Sequence, residues 1–147
     1  MRVWYNTDTN MNNLTNKKSF DPAGHLTLAV SNLEKSKKFY KSLFEQLEFK
    51  QVKDNECGAT WVTKEGFGIG IKLAKHSKPR YKYFAPGLQH LCVKAKTIKI
   101  VDEIYKYMLE KKTFILDKPA HYPEYTSKYY AVFFADPDGI KIEVAYY

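Results

Sequence analysis

His25-Leu-Thr-Leu-Ala-Val30 and His90-Leu-Cys-Val93 open the same pattern twice, 65 residues apart, and that recurrence decides the fold. Alternation along the first stretch puts Leu26, Leu28 and Val30 on one face and His25, Thr27 and Ala29 on the other, as in a half-buried strand. Ser31-Asn-Leu-Glu34 then has the form of a capping box, and Leu33, Phe39, Tyr40, Leu43, Phe44 and Leu47 recur at helical spacing. In the second copy Thr97 is placed to cap a helix whose Ile104, Tyr105, Met108 and Leu109 fall on Phe39, Tyr40, Leu43 and Phe44. Strands over about 48–53, 58–63 and 67–73 complete copy one, and strands over about 113–117, 128–135 and 140–146 complete copy two. Each copy is therefore β-α-β-β-β, spanning about 24–75 and 87–147. A unit this short covers its apolar sheet face and helix stripe by packing within itself and against its twin. The expected fold is α+β: two βαβββ repeats forming an incomplete, cup-shaped barrel with outer helices.

The remainder of the chain narrows the function classes. Residues 1–21 are polar and Asn-rich and read as an extension, with 22–147 as one domain. An apolar fraction of 44% with 16% aromatics suffices for a packed core, which argues against wholesale disorder. No apolar run approaches the ~18 residues of a membrane span, and the N-terminal stretch has no signal-peptide core, so a cytoplasmic protein without a membrane partner is expected. Cys57 and Cys92 have no metal-type spacing and supply no disulfide framework, in keeping with a reducing compartment. The net charge of +8 is carried mostly by lysines such as Lys35, Lys37, Lys38 and Lys41, which fall within one amphipathic helix and read as its solvated face. No nucleic-acid-binding module is evident, so no nucleic-acid partner is expected.

Three residues carry the chemistry. His25 and His90 open equivalent strands, and in the last strand Ile140, Ile142 and Val144 mark the apolar face and leave Glu143 opposite. A lone histidine at a strand start is usually a polar residue satisfied locally. Two at equivalent repeat positions, with a glutamate on the cup side of a partner strand, point to a divalent-metal site of His25, His90 and Glu143. Two imidazoles and one carboxylate suit Fe, Mn, Ni, Co or Zn and leave positions open for water or substrate. Candidate substrate contacts are Thr27, Trp61, Cys92 and Tyr130, although Trp61, like Tyr129, Phe133 and Phe67, also reads as core or cup lining. About eight extra residues in the second copy, within Lys118-Pro-Ala-His-Tyr-Pro-Glu-Tyr-Thr126, form a segment able to overhang the cup; its His121 and Tyr122 are the candidate acid–base residues.

The segments His25-LTLAVSNLEKSKKFYKSLF, Pro86-GLQHLCV and Tyr130-AVFFADPDGIKIEV resemble the vicinal-oxygen-chelate superfamily of glyoxalases, bleomycin-resistance proteins and extradiol dioxygenases, over about residues 24–147. Asp136-Pro-Asp-Gly139 is its most characteristic piece: a tight turn that sets the register of the strand bearing Glu143. The resemblance implies that His25, His90 and Glu143 occupy three of four customary metal positions. Aligning Glu65-Gly66 with Asp138-Gly139 puts Gly70 at the fourth, which argues against a four-ligand glyoxalase I site and leaves a three-ligand site as in fosfomycin-resistance thiol transferases and extradiol dioxygenases. Thr27 resembles a substrate-contacting threonine of the fosfomycin enzymes. The expected protein is a metal-dependent enzyme, of lyase/isomerase, thiol-transferase or dioxygenase type, acting on a small oxygen-bearing molecule. The alternative is a metal-free sequestering protein of the bleomycin-resistance type. A homodimer is expected, because an open cup leaves sheet edges for a second module to cover, and the ligands would come from one chain or be shared between two.

Overall fold

The structure, a computed structural model, describes residues 24–76 and 78–147; the polar extension expected over 1–21 lies outside them. The first repeat comprises β1 (His25–Val30), α1 (Leu33–Gln46), β2 (Lys50–Asn55), β3 (Gly58–Val62) and β4 (Gly68–Leu73). The second comprises β5 (Leu91–Lys94), α2 (Ile98–Glu110), β6 (Phe114–His121), β7 (Tyr130–Ala135) and β8 (Lys141–Tyr146). Each repeat forms its own four-stranded mixed sheet, ordered β1-β4-β3-β2 and β5-β8-β7-β6. The first and last strands of a repeat run parallel and the remaining pairs antiparallel. The α+β two-repeat cup is thus present, with no closed barrel.

Strand alternation divides each sheet into a helix side and an open side. Under α1 lie Tyr40, Leu43 and Phe44 from the helix and Trp61, Ile69 and Ile71 from the sheet, all at most 1% exposed. Under α2, Val101, Ile104 and Met108 meet Val132, Phe134, Ile142 and Val144 in the same continuous core. Leu109, expected on that stripe, is 45% exposed, because α2 presents Val101-Ile104-Met108 to the sheet instead. Thr97 caps α2 as expected, accepting from the Ile100 N–H at 3.2 Å. The capping box expected at Ser31 is displaced by one residue. Asn32 is the N-cap of α1, accepting from the Lys35 N–H at 3.0 Å, since Ser31 is engaged elsewhere.

Ser31 is held by the Asp136–Gly139 turn of the other repeat. Its backbone N–H donates to Asp138 Oδ2 at 2.9 Å and its hydroxyl donates to Asp138 Oδ1. Asp136, 5% exposed, accepts from the backbone N–H groups of Asp138 and Ile140, each at 2.8 Å, and from the buried Tyr40 hydroxyl at 2.7 Å. Gly139 completes the turn at φ +84°, where a side chain would be strained. Burial pushes the Asp136 carboxyl above its ordinary range against these hydrogen bonds, and burial likewise raises the Tyr40 hydroxyl well above its own. The turn that sets the register of β8 therefore also clasps repeat two to the start of α1.

Register places the two repeats in correspondence. Thr27 pairs with Gly70 in the first sheet, where Cys92 pairs with Glu143 in the second. Gly70 thus stands where the second repeat has its carboxylate. A Cβ at Gly70 would lie 3.2 Å from Thr27 Oγ1 and 3.5 Å from Thr60 Oγ1, so a side chain there would crowd Thr27. The second repeat departs from the expected plan at β6, which runs on through His121 instead of ending near residue 117. As an edge strand with two register shifts against β7, it tolerates Pro119 without losing an inner ladder bond.

Candidate metal centre

On the open side of the second sheet, Glu143 is the element everything else surrounds. Ile142 and Val144 point to α2, so the pleat turns Glu143 toward Phe133, Ala131 and Ala145, a small apolar cluster separate from the main core. The carboxylate is only 2% exposed, and both its oxygens are engaged. Oε2 lies 2.9 Å from His90 Nε2, and Oε1 accepts from the Tyr129 hydroxyl at 2.7 Å. Burial alone would raise the Glu143 pKa, but the bonds from His90 and Tyr129 outweigh it and hold the group below its ordinary value. Burial, together with Glu143, keeps the Tyr129 hydroxyl protonated far above the usual phenol range, which fixes it as a donor.

His90 immediately precedes β5, and its Nδ1 contacts the Gln89 side-chain oxygen. Its Nε2 faces the Glu143 oxygen as the donor of the 2.9 Å bond. An ion bound here would displace that proton and take both atoms as ligands. Adjacent ligands each about 2.1 Å from an ion and at a right angle to one another lie roughly 3 Å apart. The imidazole–carboxylate pair therefore fits two neighbouring positions on one divalent ion.

Aromatic rings wall the pair. Tyr122 meets Phe133 edge-on at 5.5 Å, Tyr125 packs on Tyr129 at 5.1 Å, and Tyr147 stacks on Tyr129 at 4.9 Å with the rings 4° from parallel. Cys92 is half-buried beside Glu143, and burial, followed by the Glu143 charge, pushes its thiol up to about 12.

Of the three ligands expected from sequence, one chain brings two together. His25 opens β1 on the other sheet, exposed, and no group of three or more His, Cys, Asp or Glu side chains able to hold an ion occurs among the described residues. Thr27 is exposed on the same face as His25. Cys92 and Tyr122 lie on the Glu143 side, as a substrate contact and an acid–base residue would require. Trp61 does not: it is 1% exposed beneath α1, 5.4 Å from Phe44, because the pleat turns it with Ala59 to the helix side. Tyr130 donates to Asp102 of α2 at 2.8 Å, so it too faces the helix. His121 rests its ring on Tyr130 at 4.8 Å and is drawn outward with it. Tyr129 is the residue whose role the sequence left open. Its phase with Ala131 and Phe133, opposite the Ile142 face, was the available signal.

Residues 23–144 match the Glyoxalase/Bleomycin resistance protein/Dioxygenase superfamily, and the chain belongs to it. An uncharacterized Bacillus subtilis protein, YqjT, is 32% identical over 122 residues, covering 82% of this chain and 94% of that protein. Among solved structures, a candidate glyoxalase from Bacillus halodurans superposes with a TM-score of 0.72 at 24% identity, covering 84% of this chain and 93% of that one. A genomically encoded fosfomycin resistance protein from Listeria monocytogenes superposes at 0.63 and 17% identity, covering 84% and 90%. At these identities the structural matches establish the fold alone. No helix among the described residues is long and apolar enough to cross a membrane.

Proposed function

We propose that His90 and Glu143 form two-thirds of a divalent-metal centre, completed by His25 of a second copy of the chain, and that the protein is a metal-dependent enzyme acting on a small oxygen-bearing substrate. The observation that carries this is the 2.9 Å approach of His90 Nε2 to Glu143 Oε2, with the other carboxylate oxygen already held by Tyr129. With Oε1 held by Tyr129, Oε2 beside His90 is the oxygen that would serve as ligand. His25 supports the shared arrangement. It is exposed, it belongs to the strand ending one sheet, and β5, the neighbour of His90, ends the other. Pairing two copies about a two-fold axis brings such edges together twice over.

When bound, a divalent ion supplies Lewis acidity for two substrate oxygens and for the negative charge that develops on them. The chain's own residues do the rest. Tyr129 and Gln89 orient the ligands; Phe133, Tyr122 and Tyr147 exclude water from one side; and Tyr122, half-buried on the Glu143 side, is placed to hold a proton near the bound molecule. The donor set suits lyase/isomerase, transferase and dioxygenase chemistry alike.

The test is thermal unfolding of wild type and Glu143→Gln with added Mn(II), Ni(II), Zn(II) or anaerobic Fe(II). An ion bound only by the native state raises the melting temperature of wild type and not of the variant. Equal shifts in both would remove Glu143 from the ligand set. The tyrosine wall also suits a sequestering protein of the bleomycin-resistance type, and absence of any metal response would favour it.

A further inference from the structure

We propose that Lys141 and Tyr83 form an oxyanion subsite beside Glu143, so that the substrate carries a carboxylate or phosphate group. This rests on the reading of His90 and Glu143 as the metal-binding end of the same face. Lys141 precedes Glu143 by two residues on β8, so the pleat puts both on the open side, their Cα atoms roughly 7 Å apart along the strand. The lysine stem crosses Phe133, and its ammonium sits 4.0 Å from the centre of that ring. Nζ donates to the Tyr83 hydroxyl at 2.8 Å and lies 4.8 Å from the Tyr83 ring centre. Tyr83 comes from the connection between the repeats, and Lys141 makes no ion pair among the described residues.

Two donors therefore converge with N–H and O–H capacity beyond the one bond that joins them. Lys141 has N–H groups beyond the one given to Tyr83, and Tyr83, having accepted with its oxygen, keeps its own O–H proton to donate. An ammonium and a phenol oxygen 2.8 Å apart are spaced to address the oxygens of one carboxylate or phosphate. The rings on either side hold the ammonium partly out of water, which strengthens its attraction for an anion. A second ammonium, Lys94, stands over the Tyr147 ring at 4.2 Å, on the strand beside Glu143, and adds to the positive field of the face. A bound divalent ion would leave this surface more positive still, in keeping with an anionic substrate.

Two probes distinguish the possible sources of the group: acetate for a carboxylate and inorganic phosphate for a phosphate ester. Each is titrated into metal-free protein at constant ionic strength, with amide NMR shifts as the readout. Wild type is expected to show saturable shifts around residues 81–84 and 141–143 for at least one anion, with a dissociation constant on the order of 1–10 mM. Lys141→Met, which keeps the packing over Phe133, should weaken that binding by about tenfold or more, Tyr83→Phe by roughly threefold, and Lys141→Arg by less than about threefold. The anion that binds more tightly in wild type identifies the substrate group. Equal binding by wild type and Lys141→Met, or no saturable shift with either anion up to about 100 mM, would overturn the proposal. The metal response of Lys141→Met, measured separately, should equal that of wild type. A wild type that binds the anion but no metal would sink the metal reading while leaving the subsite in place.

Discussion

Replacing Tyr40 by phenylalanine tests the clasp between the repeats. The substitution removes one oxygen from a ring that is 0% exposed and leaves its packing against Phe39, Phe44 and Trp61 intact. What is lost is a 2.7 Å hydrogen bond to a carboxylate that is itself 5% exposed, so solvent does not screen it. Bonds to charged groups of this kind are worth about 1.5–3 kcal/mol, and the two backbone donors left to Asp136 limit the loss to about 2 kcal/mol. For a domain of this size that corresponds to a fall in melting temperature of roughly 8 °C. The informative form is a double-mutant cycle with Asp136→Ala, read by urea unfolding. In the alanine background the Tyr40 hydroxyl has lost its acceptor, so removing it should cost close to nothing and give a coupling of about 1.5–2 kcal/mol. A Tyr40→Phe cost that is the same in both backgrounds would refute the clasp and reduce the turn to a local device.

Further outcomes follow from the site. At pH 8 an aromatic disulfide reagent should label Cys57 rapidly and Cys92 only on unfolding, because Cys57 is exposed whereas burial holds the Cys92 thiol at about 12; rapid labelling of both thiols in native protein would contradict this. Tyr129→Phe should weaken metal affinity about tenfold while melting of the metal-free protein changes far less, as followed by calorimetric titration with Mn(II). An unchanged affinity would make Tyr129 wall and nothing more. Light scattering at high micromolar concentration should report a dimer, and a monomer alone would count against the shared centre.

How much of this was legible in the sequence depends on the scale of the pattern. The repeat, the two helices and the strand that faces Glu143 toward the cup followed from periodicity, since each needs only a run of residues in phase. The equivalence of Gly70 to Glu143 was also readable by alignment, and register bears it out. Contacts between repeats were not readable. Ser31 looked like a cap because its partner, Asp138, lies 107 residues away. Trp61 reads equally as core or as cup lining from sequence and Tyr130 as a substrate contact, and pleat phase sends each to the helix side. Tyr129 lay in the correct phase, but nothing in its immediate sequence marks the carboxylate it touches.

The central claim is that the metal centre is built from His90 and Glu143 of one copy and His25 of another, and subunit complementation tests it most directly. His25→Ala and Glu143→Gln proteins are prepared separately, mixed, partly unfolded together and refolded. Neither parent should bind the ion at a complete centre. In mixed dimers the His25→Ala chain contributes His90 and Glu143, and the Glu143→Gln chain contributes His25. With random pairing, roughly a quarter of all sites should regain tight binding, measured as bound metal per chain after gel filtration. Recovery near that level is the expected result. No recovery in a mixture shown to contain mixed dimers would contradict the shared centre.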